Sequence, residues 1–455
     1  MIIINRQIDD DRSAAYKAYA EKRARGQLIL PPLFLSKHER RLHVRQTLRE
    51  DHQCRIHNRP EGAQKKFDKL ADSVFAFFRG TALLYYRDYA GTDAPLPLVF
   101  TIGDVHPENF GVMPNEDGTP FFGVNDFDEA WVAPFSYDVK RGAVGFYIVA
   151  KEHGLKKKHR RKVVHSFVWG YLKALAEFAR HDRENTFQFR IDNSPKMIRK
   201  LLEGVIDTRQ AFLDDLIDLE KEQFIPTDEI VPHSAHVEKF QRIVNQYHQD
   251  NEIGGREKPQ NFFQVKDVAI KKGSGTASLG LDRYFVLIQG WSDDKSDRVI
   301  LEMKQARRSA LYGLVPASDF KEAEKAEQIV MAHEVHLVGG DPLYGRAVID
   351  EESFLVRERS PFKADVDVDD LSQDDLKTYA AICGRALAQP HARSDKDTGI
   401  MEGDAEKQIL MSIQGEVFCD DVIDFAEVAS RRIYADYALF QRDHALGVFR
   451  FFHDA

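Results

Sequence analysis

Two short apolar runs, Leu98 to Ile102 and Phe121 to Val124, each break off into a cluster of carboxylates and amides, and this pattern constrains the chain more than any other. The first run opens into Gly103-Asp104-Val105-His106-Pro107-Glu108-Asn109 and the second into Asn125-Asp126-Phe127-Asp128-Glu129. Apolar runs this short, flanked by Pro and Gly, read as buried strands. Asn115, Asp117 and Gly118 between them have a turn composition, so the second run is expected to return as the other strand of a hairpin. That hairpin presents Asp104, Asn109, Asp126 and Asp128 near one end.

Phosphoryl transfer needs this set of side chains together. A base meets the nucleophile's proton while Asp and Asn oxygens hold Mg²⁺ over the phosphates. Asp104 and Asn109 stand five apart, the spacing of Asp and Asn in the kinase loop H-R-D-x-x-x-x-N, and Asp126 follows shortly afterwards. The stretch reads as a catalytic loop with Asp104, His106 and Asn109, followed by a metal-binding strand end with Asn109, Asp126 and Asp128 as ligands.

The phosphate-gripping half is encoded downstream. From Asn261 the pattern becomes strand (Phe262 to Ile270), Gly-rich loop (Gly273-Ser274-Gly275 to Gly280), then strands at Tyr284 to Gln289 and Val299 to Met303. Residues without Cβ let backbone N–H groups close on an anion, so Gly273, Ser274 and Gly275 suit a nucleotide's phosphates, with Lys304 at the end of the third strand to pair with them. A helix over Asp319 to Leu337 is expected to supply a glutamate that orients Lys304, and Glu327 is the candidate. The lobes divide as a helical part with the catalytic and metal loops (1–260), a small β-rich nucleotide lobe (261–362), and helices returning to the large lobe (363–455).

Elsewhere the sequence reads as scaffold. Phe67 to Tyr89 has helical spacing and is expected to be one buried helix, Asp192 to Tyr247 is mostly helical by pattern, and Cys419 to Leu446 reads as a long final helix. The run Asp365 to Asp370 reads as a solvated lead-in to a helix capped by Ser372 and Asp375. The formal charge of −9 argues against nucleic-acid backbone as the main partner. Three scattered cysteines imply neither a disulfide framework nor a zinc cluster. No apolar stretch approaches membrane-spanning length, so a soluble, cytoplasmic protein is expected.

These stretches, together with Phe75 to Gly80, Asp138-Val139-Lys140-Arg141, Lys304-Gln305-Ala306 and His391-Ala392-Arg393-Ser394, resemble domain-of-unknown-function family 2252 of bacteria, linked to the protein-kinase-like superfamily. The similarity covers nearly the whole chain. Within that superfamily it resembles aminoglycoside phosphotransferases and choline kinases. The resemblance implies an α+β, protein-kinase-like bilobal fold, with Asp104 as base, Asn109 and Asp126 as Mg²⁺ ligands, Asp128 as an accessory ligand and Asp138 as a buried support of the loop. In those kinases the Gly loop and Lys come first, whereas here they follow the catalytic loop, so the chain resembles a circularly permuted relative.

The expected activity is therefore an ATP- and Mg²⁺-dependent phosphotransferase acting on a small hydroxyl or amine acceptor. The alternatives are a nucleotide-binding pseudoenzyme, a nucleotidyltransferase and, with less behind it, a two-metal phosphoesterase, for which the ligand signature after Gly103-Asp104-Val105-His106 is missing.

Overall fold

The run at Leu98 does form a strand, but its partner is not the run at Phe121. In the computed structural model, which describes residues 13–25, 31–206, 209–254, 257–272, 281–316, 318, 320 and 323–451, four strands lie in this region: β1 (Leu98–Thr101), β2 (Phe110–Pro114), β3 (Pro120–Val124) and β4 (Trp131–Pro134). β1 pairs antiparallel with β4, and β2 pairs antiparallel with β3, with Phe110 opposite Val124. The turn at 115–119 closes β2 onto β3 because Phe110 to Met113 is itself an apolar run and lies nearer. The expected hairpin is corrected to two interleaved ribbons, but both still deliver their polar ends to one region.

Two further short strands, β5 (Ile217–Asp218) and β6 (Gln223–Phe224), pair with each other. A six-stranded sheet follows, built of β7 (Ile230–Pro232), β8 (Val265–Lys271), β9 (Arg283–Ile288), β10 (Val299–Gln305), β11 (Gly345–Ile349) and β12 (Glu352–Glu358). Its order is β11-β12-β10-β9-β8-β7 and every neighbouring pair is antiparallel. Side chains alternate across a strand. Val299, Leu301 and Met303 of β10 therefore share a core with Phe240, Val244 and Tyr247 of the helix Val237–Asp250, while Glu302 and Lys304 point to the other face. That helix precedes residue 261 in the chain, so the sheet unit starts upstream of the expected boundary. The 192–247 segment also contains β5, β6 and β7 rather than helices throughout.

The larger, helical part is centred on the helices Ser136–Glu152, Lys157–His181, Gln373–Ala392 and Gly415–Ala445, which share one apolar core. Ser372 caps the third of these by accepting a 3.2 Å hydrogen bond from the Asp375 N–H, as the capping pattern requires. The expected helix over Phe67 to Tyr89 is three helices, Pro60–Leu70, Val74–Arg79 and Ala82–Asp88. Ser73 starts the second by accepting from the Ala76 N–H at 2.9 Å, and Gly80-Thr81 ends it. Buried Arg40 ties the chain's beginning to its end by donating to both Asp88 and Asp436. Among the described residues no helix is long and apolar enough to cross a membrane.

The tightest helix crossing has a simple cause. A Cβ on Gly384 would lie 2.0 Å from the Phe167 carbonyl oxygen, and one on Gly170 would lie 2.3 Å from that of Ala381. The two helices touch backbone to backbone. Gly384→Ala is expected to force them apart and cost about 1–3 kcal/mol in urea unfolding, whereas Gly254→Ala, where a Cβ meets nothing within 4 Å, is expected to leave stability near that of the parent.

Candidate functional site

β1 runs directly into Ile102-Gly103-Asp104, and the geometry there is fixed by one buried carboxylate. Asp138, in the first turn of the helix Ser136–Glu152, is fully buried. It accepts hydrogen bonds from the backbone N–H of Ile102 at 2.6 Å and of Gly103 at 2.9 Å. His391 Nε2 lies 3.1 Å from the same carboxylate, and Tyr171 Oη lies 2.9 Å from His391 Nδ1. Because a carboxylate only accepts, Nε2 of His391 is the donor toward Asp138. Gly103 has φ +82° and a Cβ there would fall 2.0 Å from the Glu129 carbonyl oxygen, so only glycine fits where the two polar clusters meet.

The loop beyond is braced in the same way. Asp104 Oδ1 accepts from Arg141 Nε at 2.7 Å. The Arg141 guanidinium is fully buried and sits over Phe78 and Tyr85, 4.3 and 4.9 Å from their ring centres. Asn109 Nδ2 donates to the Asp104 carbonyl at 2.6 Å, which leaves Asn109 Oδ1 as the atom it can offer elsewhere. His106 is buried, its Nδ1 accepts from the Glu108 N–H at 3.2 Å, and burial first, then Arg79 and Arg141, hold its pKa well below the usual imidazole value. Its Nε2 lies 3.8 Å from Asp104 Oδ2, so it packs directly behind that carboxylate.

A cavity of about 840 Å³ opens between β2–β3, the six-stranded sheet and the segment 360–368. Asn109 and Asp126 line it from one side and Lys304 from the other. Lys304 forms an ion pair with Asp128, 176 residues away in sequence, and the Asp128 N–H donates to Asp126 Oδ1 at 3.2 Å. Burial first, and then the Asp128 charge, raise the Asp126 carboxyl above its ordinary pKa. Burial pushes Asp128 the same way, but the charge and hydrogen bond of Lys304 more than offset it and hold Asp128 low. Two half-buried carboxylates side by side are a fitting environment for a hard divalent cation.

The placement of the other expected residues is mixed. Asp104 and Asp128 are not among the residues that line the cavity. Glu327 is exposed in the first turn of the helix Lys325–His336 and is not the partner of Lys304, which corrects that expectation. Its place is taken by Asp128, because β10 ends against the strand-end loop and not against that helix. Gly273, Ser274 and Gly275 lie outside the described residues. The acidic run read as a solvated lead-in is exposed at Asp365, Asp367, Asp369 and Asp370, and it also brings Asp365 and Asp367 to the cavity, with Asn125 Nδ2 donating to Asp365 at 3.2 Å.

Several cavity residues escaped sequence reading. Glu302 accepts from Arg357 Nε at 2.8 Å and lies 3.0 Å from Arg283 Nη1. Burial pushes its carboxyl up, yet the two guanidiniums hold it far below the usual range. The alternation along β10 places Glu302 on the same face as Lys304, and that signal was available. Lys271 and Lys363 add further positive charge to the wall.

Residues 58–443 match the family described as uncharacterised proteins conserved in bacteria, DUF2252. The chain belongs to this family. No curated protein and no solved structure matches it. The match begins just ahead of the helix Pro60–Leu70 and ends inside the final helix, so the family covers both walls of the cavity.

One wall residue supplies a pH test. Burial, then the neighbouring Asp341, push the Glu358 carboxyl from 4.5 to about 7; the Glu358 N–H also donates to Asp341 Oδ2 at 2.8 Å, and Arg209 Nη1 is 3.8 Å from Glu358 Oε1. A carboxyl with a raised folded-state pKa favours the folded state fully below its unfolded pKa and loses that contribution as pH rises through the folded value. Glu358→Gln is expected to flatten the fall in melting temperature between about pH 5 and 8 and to melt higher than the parent at the alkaline end.

Proposed function

We propose that the cavity binds a nucleoside triphosphate with Mg²⁺ and that the protein transfers its terminal phosphoryl group to a small hydroxyl- or amine-bearing acceptor. The observation that carries this reading is the ion pair of Lys304 with Asp128 beside a cavity of about 840 Å³ that Lys304, Asp126 and Asn109 line, within the size range of small-molecule sites. A phosphoryl-transfer site needs a cation for the phosphates and carboxylates for the metal at this separation. Lys304, with Lys271, Arg283 and Arg357 on the same wall, would hold the phosphates. Asp126, Asp128 and Asn109 Oδ1 would hold Mg²⁺, which supplies charge neutralisation across the phosphates when bound. On triphosphate entry Lys304 would exchange Asp128 for phosphate oxygen and release that carboxylate to the metal. Asp104 would orient the acceptor through Oδ2, since Arg141 occupies Oδ1.

A second reading, nucleotide binding without turnover, is favoured by one observation: Asp104 lies off the cavity wall with an oxygen committed to a buried arginine. Calorimetry and turnover assays with MgATP on the full chain separate the two. The first reading expects binding by the parent, binding weakened at least about ten-fold in Lys304→Ala and Asp126→Asn, and Asp104→Asn that binds normally but no longer consumes nucleotide. Binding with no turnover across a broad acceptor screen supports the second. Absence of binding by the parent, or variants that behave like it, contradicts both. Whether phosphate or AMP appears on the product separates phosphoryl from nucleotidyl transfer.

A further inference from the structure

Away from this cavity, the loop after the helix Gln373–Ala392 folds against the C-terminal end of the helix Lys157–His181 and gathers carboxylates from both. Asp182, Glu184 and Asp397 each bring one oxygen to within 4.8 Å of the others. Glu184 is 1% exposed and Glu406 is 2% exposed, and Oε2 of each is buried without a hydrogen-bond partner. Burying a carboxylate oxygen with no donor is costly. Burial, followed by Asp182 and Asp397, pushes Glu184 up to about 7, and burial, followed by Asp404, Glu184 and Asp395, pushes Glu406 up to about 8. Arg393 faces Glu184, Asp395 and Asp397, and Lys407, ion-paired with Asp404, faces Glu406 and Asp182. Arg393 Nη1 is taken by Asn185 Oδ1 at 2.5 Å, and its Nε by the Val335 carbonyl at 2.7 Å.

The sequence of this loop has a spacing that fits the same chemistry. Asp395, Asp397 and Glu406 fall at the first, third and twelfth places of a stretch joining the helices Gln373–Ala392 and Ala405–Ser412. Those are carboxylate positions of the calcium loop in helix–loop–helix cation sites. The departures are also informative. Gly399 stands at the fifth place and Ile400 at the sixth, where that loop has a ligand and a glycine, so the stretch alone offers too few oxygens. Asp395 itself shapes the loop, accepting from the Asp397 N–H at 2.9 Å and the Ala405 N–H at 3.3 Å. Asp182 and Glu184 make up the number from the neighbouring helix end. Asn185 Nδ2 steadies two of the carboxylates, 3.0 Å from Asp397 Oδ2 and 3.3 Å from Glu184 Oε1.

We propose that Asp182, Glu184 and Asp397, with Glu406 behind them, form a binding site for a hard divalent cation, calcium by preference. Carboxylate oxygens delivered by irregular loops suit the high and adaptable coordination of Ca²⁺, whereas Mg²⁺ demands a near-octahedral set and keeps its waters. The site has a structural consequence. It sits a few residues beyond His391, which holds Asp138 and through it the Ile102-Gly103 backbone, so a bound cation pins the segment that anchors the cleft.

The test uses the full chain freed of metal with a chelator and then titrated with CaCl₂ or MgCl₂ alone, read by calorimetry and thermal melting. One equivalent of Ca²⁺ is expected to bind and raise the melting temperature, more strongly than Mg²⁺. Exposed Asp397→Asn and buried Glu184→Gln are expected to weaken Ca²⁺ binding at least about ten-fold. Their metal-free forms should melt at or above the parent's temperature, since a repelling charge is gone, which shows that they fold. Asp126→Asn, in the cleft, should keep the calcium response. Lack of calcium binding by the parent, a response lost in Asp126→Asn, or a parent-like response in Asp397→Asn overturns the proposal.

Discussion

The ion pair of Lys304 with Asp128 joins the two parts of the molecule beside the cavity between them. Lys304 ends a central strand of the six-stranded sheet, and Asp128 follows the hairpin strand β3 in the helical part. Both side chains are mostly buried, at 10% and 14% exposure. A buried charge without its partner is strongly destabilising, so each residue fixes where the other can be. The cavity between sheet and hairpin takes its shape from that constraint.

Everything around the pair holds backbone still. Asp138 fixes the N–H groups of Ile102 and Gly103, Gly103 brings the chain against Glu129, and Arg141 pins Asp104 from below. Glu129 continues the network by accepting the Ser309 hydroxyl on its carbonyl at 2.8 Å, so the segment after β10 is tied to the segment after β3 a second time. Preorganisation of this sort keeps polar groups positioned without rearrangement. It also explains why so many charged side chains tolerate burial here: Glu302 lies between Arg283 and Arg357, and Arg40 lies between Asp88 and Asp436.

Much of this was legible before any coordinates, for local reasons. Asp104, Asn109, Asp126 and Lys304 stand at the ends of short apolar runs, and a strand end is a place where a polar side chain can meet a cavity. Capping by Ser372 was legible because the pattern is local. What escaped depends on contacts across the chain. The pairing of β1 with β4 was hidden because apolar runs announce strands but not partners. Glu327 sits at helical spacing equally suited to solvent, and only the path of β10 shows that Lys304 turns to Asp128. Asp365 and Asp367 look like any solvated acidic run until the segment is laid across the cavity mouth. Arg141, on a mostly apolar helix, gives no local sign that it is the counter-charge of Asp104.

The central claim is that two segments distant in sequence form one site through this pair, and a double-mutant cycle on stability measures it most directly. Lys304→Met and Asp128→Asn are made singly and together and unfolded in urea. Each single change is expected to cost about 3 kcal/mol or more, and the double to cost less than their sum by about 1–3 kcal/mol. Costs that add to within about 0.5 kcal/mol would mean that the two side chains do not meet, and the account of a single cleft would fall with them.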